Sequence, residues 1–369
     1  MIVEKIIFTI ISVKNLLIVN LLILYYRNIN CKILIFYHPK DDLKNISYYH
    51  IKKLLKFKNS KKIKIIILDN SKINAYRINY IKQYFLKYIN GVDLFLSNYV
   101  CDTFPNKCQR IYLHHDIYDT PLVNPKKEKE LFKRLNKYDH ILLPSIKSKK
   151  IFNKLTLNYK NKKIKLSIIG YFKLDYLKRT ILNFKEKKTK NIVIAPTNQY
   201  IFPQMSLINK IEKIFYEILK RTNYNIIFRP HPSNFNDKNI IELNKKFIEN
   251  ERVKFDNSKN YLNTYMNSDI MISDLSGTAY TYSFLTNQPT IFFSNYEKKL
   301  KKLNYNILNY FKDRNKIGYI VKNEKELIRI LLNKNIYKNK RKIIKKILSS
   351  TFKVGKAKLL FDNFIYKVL

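Results

Sequence analysis

Tyr224-Asn225-Ile226-Ile227-Phe228-Arg229-Pro230-His231-Pro232 and Asp269-Ile270-Met271-Ile272-Ser273-Asp274-Leu275-Ser276-Gly277-Thr278 share one plan. In each, a short apolar run reads as a buried parallel strand and stops abruptly at polar residues. Ligands of open α/β sheets gather at the carboxyl ends of strands. One strand end therefore offers Arg229 and His231, and the other a small loop rich in hydroxyls. Ser276-Gly277-Thr278 also opens a helical pattern running to Leu285, which adds backbone N–H groups and a positive dipole end. Together the two stretches predict a pocket for a phosphorylated ligand, a nucleotide diphosphate.

The same rhythm extends outward from these stretches. Strand patterns fall at Lys32–Tyr37, Ile63–Leu68, Val92–Leu96, Gln109–Leu113, His140–Leu143 and Lys165–Ile169, then at Asn191–Ala195, Tyr224–Phe228, Val253–Phe255, Ile270–Ser273, Thr290–Phe293 and Gly318–Val321. Amphipathic segments separate them, including Ile46–Leu55, Ala75–Tyr88, Lys127–Tyr138, Ser206–Arg221, Asn239–Glu249, Tyr261–Asn267 and Thr278–Leu285. Alternation with short connections marks doubly wound parallel sheets. The expected fold is α/β of GT-B type, two Rossmann-like domains facing each other across a ligand cleft. The expected boundaries are an apolar helix at 1–30, a first Rossmann-like domain at 31–182, a polar basic linker at 183–190, a second Rossmann-like domain that would hold the nucleotide at 191–335 and basic helices at 336–369.

The 369 residues carry 72 Lys plus Arg against 27 Asp plus Glu, a formal charge of +45. Such a field favours polyanions and anionic surfaces. The lysines are spread over many helical faces in a chain also heavy in Asn, Ile and Tyr, as A/T-rich coding would give. No recognition helix or RNA-binding aromatic signature accompanies them, so no specific nucleic acid is expected. Three cysteines, Cys31, Cys101 and Cys108, form neither a zinc spacing nor a disulfide framework and point to a reducing compartment. With five glycines there is no Gly-rich phosphate loop, and no Asp-x-Asp clamp for a metal–nucleotide pair. No metal or cofactor is called for. Ile6 to Tyr26 is apolar but interrupted by Lys14, Asn15 and Asn20, and three readings stay open: a helix packed on the protein, an interfacial anchor, or a membrane span.

Several side chains could carry chemistry. His231 sits between two prolines that fix its backbone, and beside Arg229 it could donate to phosphate oxygens; a plain turn histidine is the alternative. Ser273, Ser276, Gly277 and Thr278 could receive a diphosphate, or simply cap a helix. Asp274 would repel phosphates and is expected to position the loop or meet a ligand hydroxyl. In the first domain Leu113-His114-His115-Asp116 ends a strand, with Asp119 close behind. One histidine, oriented by a carboxylate, could act as general base. Alternation lets only one of the two face the cleft, and the sequence leaves open which. Gly170, Lys173 and Asp175 follow the last strand of this domain, and Thr197 follows the first strand of the next; all would border the cleft.

In this order the motifs resemble the CDP-glycerol glycerophosphotransferase family of teichoic-acid and capsule polymerases. The resemblance rests on His114/His115, Gly170-Tyr171-Phe172-Lys173-Leu174-Asp175-Tyr176-Leu177, Ala195-Pro196-Thr197, Arg229-Pro230-His231-Pro232 and Ser273–Thr278, over roughly residues 110 to 295. The family's Trp-His-Gly stands here as Leu113-His114-His115-Asp116, its Pro-Arg as Phe172-Lys173 and its Ser-Ser as Ser276-Gly277. The resemblance implies transfer of a glycerol-phosphate or related polyol-phosphate group from CDP-glycerol to a lipid-linked or polymeric acceptor. His114 or His115 would activate the acceptor hydroxyl, with His231, Arg229, Thr197 and the 273–278 loop on the donor. It also implies a cytoplasmic enzyme, peripheral on the anionic inner face of the cell membrane. Two alternatives share the motifs: a GT-B glycosyltransferase using CMP-sialic acid or a UDP-sugar, and a non-catalytic basic protein that binds nucleic acid or membrane.

Overall fold

The computed structural model describes residues 2–38, 51–56, 62–69, 80–118, 125–159, 163–183, 189–200, 203, 206–258, 261–294, 296–300, 308–333 and 335–369. Two compact units result. The first comprises Met1–Asp116, Pro125–Asp175 and Phe352–Leu369, and the second Ile117–Asn124 and Tyr176–Thr351.

In the first unit, strands β1 (Lys32–His38), β2 (Ile63–Asp69), β3 (Leu94–Ser97), β4 (Gln109–Leu113), β5 (His140–Leu143) and β6 (Lys165–Ile168) form one sheet in the order β2-β1-β3-β4-β5-β6. Every pairing is parallel, with Leu34 opposite both Ile65 and Leu94. Runs such as Ile33-Leu34-Ile35-Phe36 are fully buried because helices cover both faces of a parallel sheet. The order reverses between β1 and β3, and the carboxyl ends there form this sheet's switch point.

The second unit repeats the plan with β7 (Asn191–Ala195), β8 (Asn225–Phe228), β9 (Val253–Phe255), β10 (Ile270–Ser273), β11 (Thr290–Phe293) and β12 (Gly318–Val321). Its order, β12-β11-β10-β7-β8-β9, places the reversal between β7 and β10. Helices Ile211–Arg221, Lys238–Phe247 and Glu324–Leu332 bury Ile214, Phe215, Ile218, Leu243, Phe247 and Leu327 against the sheet.

Boundaries depart from the expected ones. The division between units falls at Asp175/Tyr176, inside helix Phe172–Thr180, and not in the 183–190 stretch, of which 184–188 lie outside the described residues. The basic tail also divides. Helix Ile336–Thr351 belongs to the second unit, while helix Ala357–Val368 joins the first, burying Ala357, Phe361 and Ile365 in the first core. Phe361 and Ile365 each contribute about 1.5–3 kcal/mol relative to exposure. The amino-terminal helix Ile2–Asn28 is part of the first unit, where Asn15 Nδ2 donates to Tyr80 O at 2.8 Å and Val19 and Ile23 are buried.

Ala75–Tyr88 is not one amphipathic helix. Residues 75–79 lie outside the described residues, Tyr80 forms a parallel bridge with Asp69 at the end of β2 while Ile81 N donates to Asp69 O, and only Gln83–Tyr88 forms a 3₁₀ turn. Pairing to the sheet end outweighs the local helical pattern. Of the expected helix 46–55, only 51–55 fall among the described residues, as does none of Asp119.

Gly318 opens β12 in extended backbone (φ −162°), and a Cβ there would fall 1.8 Å from Thr290 O. Only glycine lets β12 approach β11 at this point. Gly318→Ala is expected to lower unfolding stability by about 1–3 kcal/mol, measured by urea denaturation; an unchanged midpoint would contradict the close approach.

Candidate functional site

Three polar loops leave β7, β8 and β10, the strands at the switch point of the second sheet. Asp274 joins two segments beneath them. It is 1% exposed, and its carboxylate accepts from Thr197 N and from Leu207 N, both at 2.8 Å. Burial pushes the Asp274 carboxyl up to about 6, against the pull of these backbone N–H groups. Asp274 thereby ties the loop after β7 to the end of β10. Ser273, also fully buried, donates to Ala195 O at 2.6 Å and so ties β10 to β7. That corrects its reading as a donor-binding residue, since its hydroxyl proton is directed to the neighbouring strand.

Arg229 requires a similar correction. Its guanidinium is buried, paired with Asp256 at 2.7 Å and bonded to Ser258 O at 2.8 Å and Ser258 Oγ at 3.2 Å. Thr264 also donates to Asp256. Burial raises the Asp256 carboxyl, but hydrogen bonds from Ser258 and Thr264 and the Arg229 charge bring it below the usual range. Arg229 thus braces the loop after β9, and its charge is matched by a carboxylate.

His231 is held differently. Its Nδ1 accepts from Ser233 N at 3.2 Å, which leaves the proton of the neutral ring on Nε2. The turn carrying it is fastened by buried Asn234, whose N–H donates to His231 O at 2.7 Å and whose Oδ1 accepts from Gln199 N at 3.3 Å. Asp237 accepts from Asn234 Nδ2, Gln199 Nε2 and Tyr200 OH, each at 2.6 Å. The loop after β8 and the loop after β7 are therefore fastened to each other. Ser276, Gly277 and Thr278 are partly exposed at the start of helix Thr278–Thr286, with the Thr278 hydroxyl hydrogen-bonded to Tyr265. Gly277 has ordinary right-handed helical angles (φ −62°, ψ −18°). The accessible groups are donors, while Asp274 is turned inward. Such a surface suits an anion.

The first sheet carries a second polar cluster at the ends of β1, β3 and β4. His114 is 2% exposed; its N–H donates to Leu142 O at 3.0 Å, and its ring meets Phe152 edge-on at 5.4 Å. The His115 side chain is 14% exposed, lies 4.5 Å from the Tyr99 ring, and places Nε2 3.9 Å from Asp116 Oδ1. Of the pair, His115 has the accessible ring and the carboxylate. Lys173 is lowered to about 8 by burial, with the Asp116 charge acting in the opposite sense. His38, at the end of β1, bonds Asn98 at 3.0 Å and meets the Tyr99 ring at 5.5 Å. Sequence reasoning missed His38, Asn98 and Tyr99; the apolar runs before them were the available signal, since both strands stop at these residues.

Two other expected cleft residues have structural roles. Asp175 is buried and accepts from Gly355 N at 2.7 Å and Ala357 N at 2.9 Å, so it caps the last helix. Gly170, at φ +83°, lies where a Cβ would come within 3.2 Å of Lys353 O. Both receive residues 353–357. Among the described residues, no three His, Cys, Asp or Glu side chains gather as around a metal ion.

A family model described as CDP-glycerol:poly(glycerophosphate) glycerophosphotransferase matches residues 44–354. The chain belongs to this family. It is therefore a transferase, and the non-catalytic reading is set aside. Solved structures of the wall teichoic acid polymerase TagF are similar in fold, one at 20% identity with a TM-score of 0.60 over 99% of this chain and 98% of that chain. UDP-GlcNAc 2-epimerase from Neisseria meningitidis, at 13% identity, covers 91% of this chain and 100% of its own with a TM-score of 0.59. The epimerase from Methanocaldococcus jannaschii, at 14% identity, has a TM-score of 0.55 over 91% of this chain and 99% of that chain. No curated protein sequence matches the chain directly.

The raised Asp274 carboxyl has a pH consequence. Its folded value, about 6, exceeds the ordinary 3.8, so the folded state holds its proton more tightly. Stability is greatest below pH 4 for this group and falls as pH rises through 6, by on the order of 2–3 kcal/mol. Asp274→Asn should lack that decline in denaturation curves collected across this range; an identical decline in the variant would assign it elsewhere.

Proposed function

We propose that this glycerophosphotransferase holds the diphosphate of CDP-glycerol on the second sheet and activates the acceptor with His115. The observation that carries the reading is the set of donors at the ends of β8 and β10, which flank β7 in the second sheet: His231 Nε2–H, the hydroxyls of Ser276 and Thr278, and the amino end of helix Thr278–Thr286. The acceptor hydroxyl oxygen attacks the distal phosphorus, its proton passing to His115. A new P–O bond forms there as the bond to the bridging oxygen breaks, and CMP departs. Negative charge grows on the departing phosphate, where His231 and the helix end stabilise it. The Asp116 carboxylate, 3.9 Å from Nε2, stands beside His115 as its charged neighbour. Arg229, Ser273 and Asp274 act by fixing the loops. Lys173, which feels the Asp116 charge, would meet a phosphate of the acceptor polymer.

The reading extends to a cytoplasmic enzyme that is peripheral on the inner face of the cell membrane. The charge of +45 supports attraction to anionic lipid, and the three free cysteines agree with a reducing compartment.

A thermal-shift panel tests donor identity: CDP-glycerol should raise the melting temperature, whereas stabilisation by UDP-sugars or CMP-sialic acid alone would replace this donor with a nucleotide sugar. His231→Ala and His115→Ala should each reduce turnover with CDP-glycerol by about 10²–10⁴-fold without changing the melting temperature. A folded His231→Ala enzyme with full turnover would remove His231 from the mechanism.

A further inference from the structure

The amino-terminal helix Ile2–Asn28 buries the polar Ser12, Asn15 and Asn20 side of its surface together with Leu16, Val19 and Ile23, and leaves an apolar stripe, interrupted by exposed Lys14, on the outside. Ser12 Oγ accepts from Lys82 N at 3.3 Å, and Asn15 Nδ2 donates to Tyr80 O at 2.8 Å. Asn20 donates to Tyr88 O at 3.1 Å and accepts from Asn90 N at 3.2 Å. On the opposite face Ile10, Val13, Leu17, Leu21 and Leu24 are between 42% and 65% exposed. Their spacing of three and four residues draws one stripe about 21 Å long. Tyr25 continues it, and exposed Tyr84 and Tyr88 stand in the turn Gln83–Tyr88 beside the helix. A stripe of this size marks an interaction surface.

A basic groove of about 650 Å³ opens at the carboxyl end of the same helix, lined by Arg27, Lys32, Lys107, Lys163, Lys165 and His140. Asp93 pairs with Arg27 at 3.0 Å and Lys32 at 3.4 Å, while Asp139 accepts from Arg110 N at 2.8 Å. Lys107, Lys163 and Lys165 are exposed around these carboxylates.

We propose that this face docks on an anionic bilayer, with the helix lying flat in the interface and phosphate headgroups in the groove. The inference rests on the peripheral placement proposed above and specifies the surface that achieves it; it does not depend on the donor or the base. Thr9–Asn28 is long and apolar enough to cross a membrane. Spanning would nevertheless strip Ser12, Asn15 and Asn20 of their partners and place them in hydrocarbon, where each unsatisfied polar group is costly. Lying flat keeps those bonds and buries only the outer stripe. A second copy of the chain fits the face less well, because two molecules of charge +45 repel, and lysines with amphipathic tyrosines are the flanks of an interfacial segment.

Co-sedimentation of the full chain with vesicles tests this, using phosphatidylcholine alone or mixed with phosphatidylglycerol. The wild type should favour the mixed vesicles and be released by alkaline carbonate. Leu17→Glu/Leu21→Glu should weaken binding to both by about tenfold or more. Lys163→Glu/Lys165→Glu should lose the preference for phosphatidylglycerol. Both variants should keep the wild-type melting temperature and the shift caused by CDP-glycerol, which separates failed docking from a failed functional reading. Unaltered vesicle binding by the leucine variant overturns the proposal. So does resistance of the wild type to carbonate, which would show a span, or a lipid-free dimer that the leucine variant splits.

Discussion

The carboxylate of Asp274 governs the second unit's polar edge. By accepting from Thr197 and Leu207, it holds the loop after β7 and the start of the following helical segment against the end of β10. A charged group at this depth is expensive unless it is satisfied. Backbone N–H groups satisfy it from segments distant in sequence, so these loops are specified together. With the carboxylate turned inward, hydrogen-bond donors remain on the accessible side. The donor-rich surface is made here as much by where the acid goes as by which donors are presented.

Polar residues at the strand ends divide into those that meet solvent and those that meet backbone. Arg229, Ser273, Asp175 and Gly170 all belong to conspicuous motifs, yet each fixes a neighbouring segment. His231, Ser276, Thr278 and His115 are the accessible ones. The division follows the cost of burying polar groups. A rigid loop needs its backbone and charges paired, and residues close to a reacting group supply those pairs. A motif therefore records both the site and its support.

The fold was largely legible because strands buried on two faces must be continuous apolar runs, and those runs are visible without knowing their neighbours. All twelve strands among the described residues fall where such runs predict them, several to the residue, as at Gln109–Leu113 and Ile270–Ser273. Segments whose form depends on distant pairing were not legible. Tyr80 follows Asp69 because β2 offers it a partner, and the last helix leaves the second unit because Asp175 and Gly170 receive it. The same limit applies to the site. Residue types identified the polar loops, but Arg229 and Ser273 could be read as ligands until Asp256 and Ala195 were known to be their partners. His38 and Asn98 sit 60 residues apart and become a pair only through adjacent strands.

The return of helix Ala357–Val368 to the first unit bears on synthesis. Phe361 and Ile365 fill the first unit's core, and Asp175 waits for the N–H groups of Gly355 and Ala357. During translation the first sheet can collapse early, but an apolar trough stays open on it until those residues emerge from the ribosome. The second unit meanwhile has nearly all of its own chain. The half made first is thus the half completed last, and over that interval its unfilled trough is the nascent chain's exposure to chaperones and to misassociation.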